Sequence, residues 1–264
     1  MQHRPLRETF EQVPALYERA RPTYPPQVFD DLVELARLPE SARIVEIGCG
    51  TGQATVQLAA RGYRITCVEL GEQLASIARR NLLPYPAVEV INADFERWEP
   101  ARGDFDAVVA FTAFHWIAPD VRYAKAASLL RDQGKLGLVT TEHVFPPEGD
   151  DFFIEVQQDY EAVVPDDPAT KAGAPKSPET IPDLSEEIAA SGRFRNVAVR
   201  RYFWDVVYTA NEYIDVLNTY SGHRALDEDT RERLLARIHR RVEARPSGRV
   251  RKTNLAMLNV AERL

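Results

Sequence analysis

Cysteine is scarce in this chain. Two in 264 residues, Cys49 and Cys67, have no metal-ligand spacing and make a disulfide scaffold an unfavoured reading. No window approaches 18 uncharged apolar residues, so no membrane-spanning helix is expected. The first residues, MQHRPLRETF, lack an apolar core, so no signal peptide is expected and a cytoplasmic location is the default. Positive charge is in deficit: 33 Lys and Arg face 40 Asp and Glu, for a net charge of −7. That balance opposes a nucleic-acid partner, which needs clustered basic surface. Internal repeats are absent too. The values that remain, 44% hydrophobic and 28% charged, are those of a globular protein. The length suits one sizeable domain, or one domain with a lid.

The most informative stretch is RIVEIGCGTGQ, Arg43 to Gln53. Its first five residues are branched and mostly apolar, which predicts a strand. Gly48, Gly50 and Gly52 follow, and then Ala54 to Arg61 carries a helical pattern. A strand, a glycine turn and a helix form the front of a βαβ nucleotide site. Glycine lets the backbone turn sharply there and lets a ligand approach it. Helix N-termini also leave backbone N–H groups unpaired. A dinucleotide site wants G-x-G-x-x-G, and Gln53 stands where its last glycine would be. Glu46 precedes the first glycine by two residues.

The resulting E-x-G-x-G-x-G resembles the first motif of the class I S-adenosylmethionine (SAM) methyltransferases. The resemblance implies that Glu46, Gly48, Gly50, Gly52 and Gln53 face SAM. Glu69 closes the next expected strand, Tyr63 to Leu70, 19 residues past Gly50. A carboxylate there can accept both hydroxyls of a ribose, with Leu70 beside it. The alternative is a solvated strand end. A third strand, Val88 to Asn92, runs into Asp94-Phe95. This resembles the family's third motif, whose acid takes the adenine amino group while the next residue packs on the ring. A turn residue or helix cap is the competing reading of Asp94.

Alternating strands and helices over residues 43–142 imply a parallel sheet with right-handed crossovers. Phe105 to Phe111 is apolar enough for a central strand. Its end, Phe111, joins the cofactor residues, and Phe111-Thr-Ala-Phe-His115-Trp116 faces the ligand crevice of such a sheet. There is no [DN]-P-P-[YF] run for a planar amide and no carboxylate cluster for Mg²⁺, so no metal is expected. The His115-Trp116 pair resembles a small-molecule subgroup that includes the trans-aconitate type. His115 is then either a base, and so the candidate catalytic residue, or a structural hydrogen-bonder. A helix over 124–130 and a turn at Arg131–Gly134 lead to strand five, Lys135 to Thr141.

Outside this core the rhythm changes. Glu8 to Ala20 (with Phe10 on its apolar face) and Gln27 to Leu38 are expected helices, separated by the stiff RPTYPP. Tyr17, Arg21 and Tyr24 resemble a family cap folded over the cofactor, where an aromatic ring attracts a sulfonium; packing is the alternative. Later elements expected are a helix at 150–164, a proline-rich loop at 165–182 and a short helix at 184–190. A strand at 197–207, helices at 209–220 and 227–244, and a last strand at 255–260 complete the chain. The basic side of the 227–244 helix reads as a solvated face or as an attractor of anionic substrate.

The fold class expected is α/β. It is a Rossmann-like doubly wound sheet, mostly parallel with a final antiparallel hairpin, plus a helical lid. The domain reading is one methyltransferase domain: cap 1–42, SAM-binding core 43–142, and lid helices and hairpin 143–264. The expected function is methyl transfer from SAM to a small molecule bearing a carboxylate or hydroxyl, with Trp116, Tyr17, Arg21 and Tyr24 toward substrate. The rivals are a nicotinamide oxidoreductase and a non-catalytic SAM-binding module. Oligomeric state is not legible.

Overall fold

The computed structural model describes residues 13–100, 103–165 and 173–264. Residues 8–12 of the expected first helix, Phe10 among them, lie outside these, as does the middle of the proline-rich loop with Pro168. The chain divides into two compact units. The first holds Thr23–Thr141, Asp183–Tyr202 and Ala256–Leu264; the second holds Met1–Pro22, Glu142–Pro182 and Phe203–Leu255.

In chain order the elements begin with α1 (Pro14–Ala20), α2 (Pro26–Ala36), β1 (Arg43–Ile47) and α3 (Gln53–Ala59). Then come β2 (Arg64–Glu69), α4 (Glu72–Asn81), β3 (Val88–Asn92) and β4 (Phe105–Phe111). A 3₁₀ turn at Phe114–Trp116 leads to α5 (Arg122–Leu129), β5 (Leu130–His143), α6 (Phe152–Glu155) and α7 (Gln157–Val163). The rest are α8 (Ser185–Ala190), β6 (Phe194–Thr209), α9 (Ala210–Leu217), α10 (Ser221–Arg224), α11 (Glu228–Glu243) and β7 (Arg249–Arg263).

The strands form one sheet in the order β3-β2-β1-β4-β5-β7-β6, parallel from β3 to β5 and closed by an antiparallel hairpin. Strands β1, β3 and β4 keep the bounds the sequence predicts. Ile44, Val45 and Ile47 of β1 and Ala107 to Ala110 of β4 are buried, as suits central strands covered on both faces. The register is fixed at its start by Asp106, whose carboxylate accepts the Arg43 backbone N–H at 2.8 Å. Chain order reverses between β1 and β4, so a topological switch point opens at their C-terminal ends.

One expectation is corrected. Strand five starts earlier, at Leu130, and residues 131–134 are a bulge within it: pairing jumps from Leu130 to Lys135, with Gln133 at φ 60°. The helix expected over 150–164 runs as α6 and α7, and Val156 between them keeps helical backbone angles, φ −63° and ψ −19°.

The second unit has its own core, in which Phe152, Tyr213, Leu234, Ile238 and Val242 pack together. Thr209 caps α9 through a reciprocal capping box with Glu212. Asp227 caps α11 by accepting the Thr230 N–H. Part of the basic side of α11 is ion-paired within the unit. Arg237 and Arg241 both pair with Asp159, at 3.1 and 2.5 Å, and that aspartate is only 3% exposed.

Candidate functional site

All ten sequence-predicted cofactor residues, with Tyr24, His115 and Trp116, lie in the first unit. Gly48, Gly50 and Gly52 have φ of 64°, 58° and 88°, a region that L side chains rarely occupy. At Gly48 a side chain is excluded twice, since an added Cβ would lie 2.7 Å from the Ala113 Cβ. That contact joins the loop after β1 to the segment after β4. Gly52 is the N-cap of α3, and Gln53 is the helix's first residue.

Glu69 ties this loop to its neighbour. One carboxylate oxygen accepts the Gly50 N–H at 2.8 Å, and the other accepts the Gly71 N–H at 2.9 Å. Two backbone donors thus fix the carboxylate's plane. Glu46 is 1% exposed. Burial pushes its carboxyl up to about 7; Thr55 hydrogen-bonds it and pulls the other way, and Glu69 adds repulsion. Its Oε2 has no partner in the protein, nor has the buried Oγ1 of Thr51 in the loop. Buried polar atoms without partners are costly unless something else satisfies them. The loop therefore presents unpaired acceptors, a pinned carboxylate and backbone without Cβ, which fits a ligand rich in hydroxyl and ammonium donors, as SAM is.

Asp94 follows β3 and turns the chain, its Oδ1 accepting the Glu96 N–H at 3.1 Å. Phe95 is buried in the unit's core, whereas Leu70 is exposed. Phe111 is buried and stacks on Phe29 with centroids 5.3 Å apart, while Tyr24 meets it edge-on at 5.4 Å. His115 stands exposed on the 3₁₀ turn, 4.7 Å ring to ring from Trp116. Thr23, Tyr24, Pro26, Phe29, Gln53 and Gln57 line a cavity of about 150 Å³. Tyr17 and Arg21 belong to the second unit, where the Arg21 guanidinium lies 5.1 Å from the Tyr17 ring centroid.

Sequence reasoning missed Thr112. It has φ 55°, an outlier for a β-branched residue, at the end of β4. Its hydroxyl bonds the Tyr24 hydroxyl at 2.8 Å and that of Thr141 at 3.1 Å, and its N–H donates to Val139. Such strain clusters at functional sites. Only its place just past a central strand could have marked it. Thr51 and Thr55 were missed too, for they sit inside a motif read for its glycines.

Comparison with known proteins agrees with this geometry. A family model described as a methyltransferase domain matches residues 44–134. An uncharacterised methyltransferase of Mycobacterium bovis is 32% identical over 123 residues, which is 47% of this chain and 48% of that protein. The trans-aconitate 2-methyltransferase of Paracidovorax citrulli is 36% identical over 123 residues, 43% of this chain and 38% of that protein. The chain thus spans about half the length, or less, of these relatives. A solved structure of a candidate type II methyltransferase from Anaeromyxobacter dehalogenans has a TM-score of 0.62 at 21% identity, covering 92% of this chain and 97% of that one, and shares the fold. The glycine loop at the sheet's switch point lies inside the stretch, residues 44–134, that the methyltransferase-domain model matches.

Proposed function

We propose that the protein transfers the methyl group of SAM to a small molecule bearing a carboxylate or hydroxyl. The observation that carries this reading is Glu69, held by the Gly50 and Gly71 N–H groups beside a loop bent by three positive-φ glycines. In this reading Glu69 takes the ribose hydroxyls, and Glu46 and the loop face the amino-acid end. Asp94 takes the adenine amino group, with Phe95, Leu70 and Phe111 as its apolar surroundings. Residues 43–142 are the cofactor-binding core, and the segments at 1–42 and 143–264 set the choice of acceptor.

SAM supplies a methyl carbon on a sulfonium, already a good leaving group. The chain's task is to hold and align the reactants and exclude water. As the acceptor's oxygen bonds the methyl carbon, the carbon–sulfur bond breaks and its electron pair stays on sulfur. A hydroxyl acceptor also loses a proton, which exposed His115 is suited to take. A carboxylate acceptor needs no base.

Calorimetric titration with S-adenosylhomocysteine, with NADH alongside, tests the cofactor. Tight binding of the first and none of the second is expected. NADH binding alone would overturn the reading and return the glycine loop to an oxidoreductase. A substrate screen with labelled SAM then tests transfer itself, and absence of any methylated product across small carboxylates and alcohols would leave a binding module.

A further inference from the structure

The second unit buries positive charge without matching acid. Lys252 is 8% exposed, and its ammonium donates to the Tyr220 hydroxyl at 2.5 Å. The guanidinium of Arg21 lies 4.5 Å from the centroid of the same ring and donates through Nη2 to the Thr219 carbonyl at 3.0 Å. Two cations therefore flank one phenol. Among the described residues no carboxylate comes within ion-pair distance of either. The unit's other buried charges are paired: Asp159 with Arg237 and Arg241, Asp150 with Arg245 at 2.6 Å. Asp205, more exposed, accepts from Thr253 and faces Arg251. Glu142 feels Lys252 but is exposed. Desolvating a cation without a counter-charge is costly.

Unused hydrogen-bonding atoms gather around these cations. Arg21 Nε, Tyr208 Oη and His143 Nε2 are buried with no partner. Tyr208 lies within electrostatic reach of both Arg21 and Tyr220, and is itself 5% exposed. His143 lies within reach of Lys252; burial first, and Lys252 second, pull its imidazole down to about 2, so the ring is neutral at ordinary pH. Tyr220 shows the excess of charge: Lys252 and Arg21 pull its phenol below the usual range against the opposing effect of burial.

We infer that Arg21, Lys252, Tyr208, Tyr220 and His143 form a binding site for the carboxylate of a small organic anion. A carboxylate supplies the missing negative charge and accepts from the unpaired guanidinium N–H and the free phenol hydroxyl. Identifying that anion with the methyl acceptor rests on the proposed function; the site itself does not.

The test is calorimetric titration of the full chain with succinate, with inorganic phosphate and succinamide alongside, each with and without S-adenosylhomocysteine. Saturable succinate binding and none of neutral succinamide are expected. Lys252→Met should weaken succinate about tenfold or more, as loss of one charge-assisted contact does. Tyr208→Phe deletes a single unpartnered oxygen and so keeps the fold. It should weaken succinate about threefold to tenfold. Succinate binding equal in wild type and Tyr208→Phe, or binding of phosphate alone, would overturn the inference. Succinate binding without any S-adenosylhomocysteine binding would instead sink the methyl-transfer reading and leave this site standing. The reverse result would sink this site and leave that reading intact.

Discussion

The two units build their polar sites by opposite means. In the first, the chemistry is backbone and acid: three glycines, two N–H groups and the carboxylates of Glu46 and Glu69. In the second it is side chain and cation: Arg21 and Lys252 around Tyr220, with Tyr208 and His143 unsatisfied. The first should fail when main-chain geometry is disturbed and tolerate little. The second should lose ligand while the fold survives, because its groups project from elements that other residues hold.

Gly48→Ala attacks the first unit where it is most constrained. It forces alanine to φ 64° and brings a Cβ to 2.7 Å from that of Ala113. The expected cost is about 3 kcal/mol of stability, the sum of left-handed strain and a clash with a neighbour that must shift. Thermal or denaturant unfolding reads it directly. A cost as small as that of Tyr208→Phe would erase the contrast between the units.

Glu69→Ala comes next. It removes the acceptor for the Gly50 and Gly71 N–H groups as well as the proposed ribose contact. S-adenosylhomocysteine affinity should fall about a hundredfold, or about 2.7 kcal/mol. Glu69→Gln should recover part of this, since an amide oxygen still accepts one N–H. Equal losses in both variants would show that charge, and not the hydrogen-bonded frame, is what matters.

Glu46 gives the contrast a pH signature. Its carboxyl titrates at about 7 when folded against an ordinary value of 4.5, so the native state holds the proton more tightly. This contribution to stability is full below about pH 4.5 and is lost as pH rises through 7. Its loss by pH 8 is about 3 kcal/mol, close to the ceiling that such a shift sets. Glu46→Gln should flatten the melting temperature between pH 5 and 8. The same variant should be no more stable than wild type at pH 4.5. A cationic cofactor favours the ionised form, so SAM should bind more tightly above pH 7 than below it.

The contrast also explains what could be read in advance. Strands β1, β3 and β4 were legible to the residue because each is a short apolar run ended by a turn or glycine signal. Glu46, the glycines and Glu69 were legible because a βαβ unit fixes their spacing along the chain. The cationic site was not, though Arg21 was noticed. Its members come from residues 21, 143, 208, 220 and 252, and no local spacing links them. Tyr208 and Lys252 look like ordinary members of strands.

Thr112 makes the finest test, because strain and hydrogen bonding oppose each other in one residue. Its φ of 55° should cost about 1 kcal/mol. Its hydroxyl contacts with Tyr24 and Thr141 offset a similar amount. Thr112→Ala keeps the strain and loses the bonds, so it should destabilise by about 1 kcal/mol. Thr112→Gly loses the same bonds but removes the strain, so it should leave stability near wild type. The difference between the two variants isolates the backbone contribution. If alanine and glycine cost the same, the left-handed turn after β4 stores no energy, and main-chain strain drops out of the account of the first unit's site.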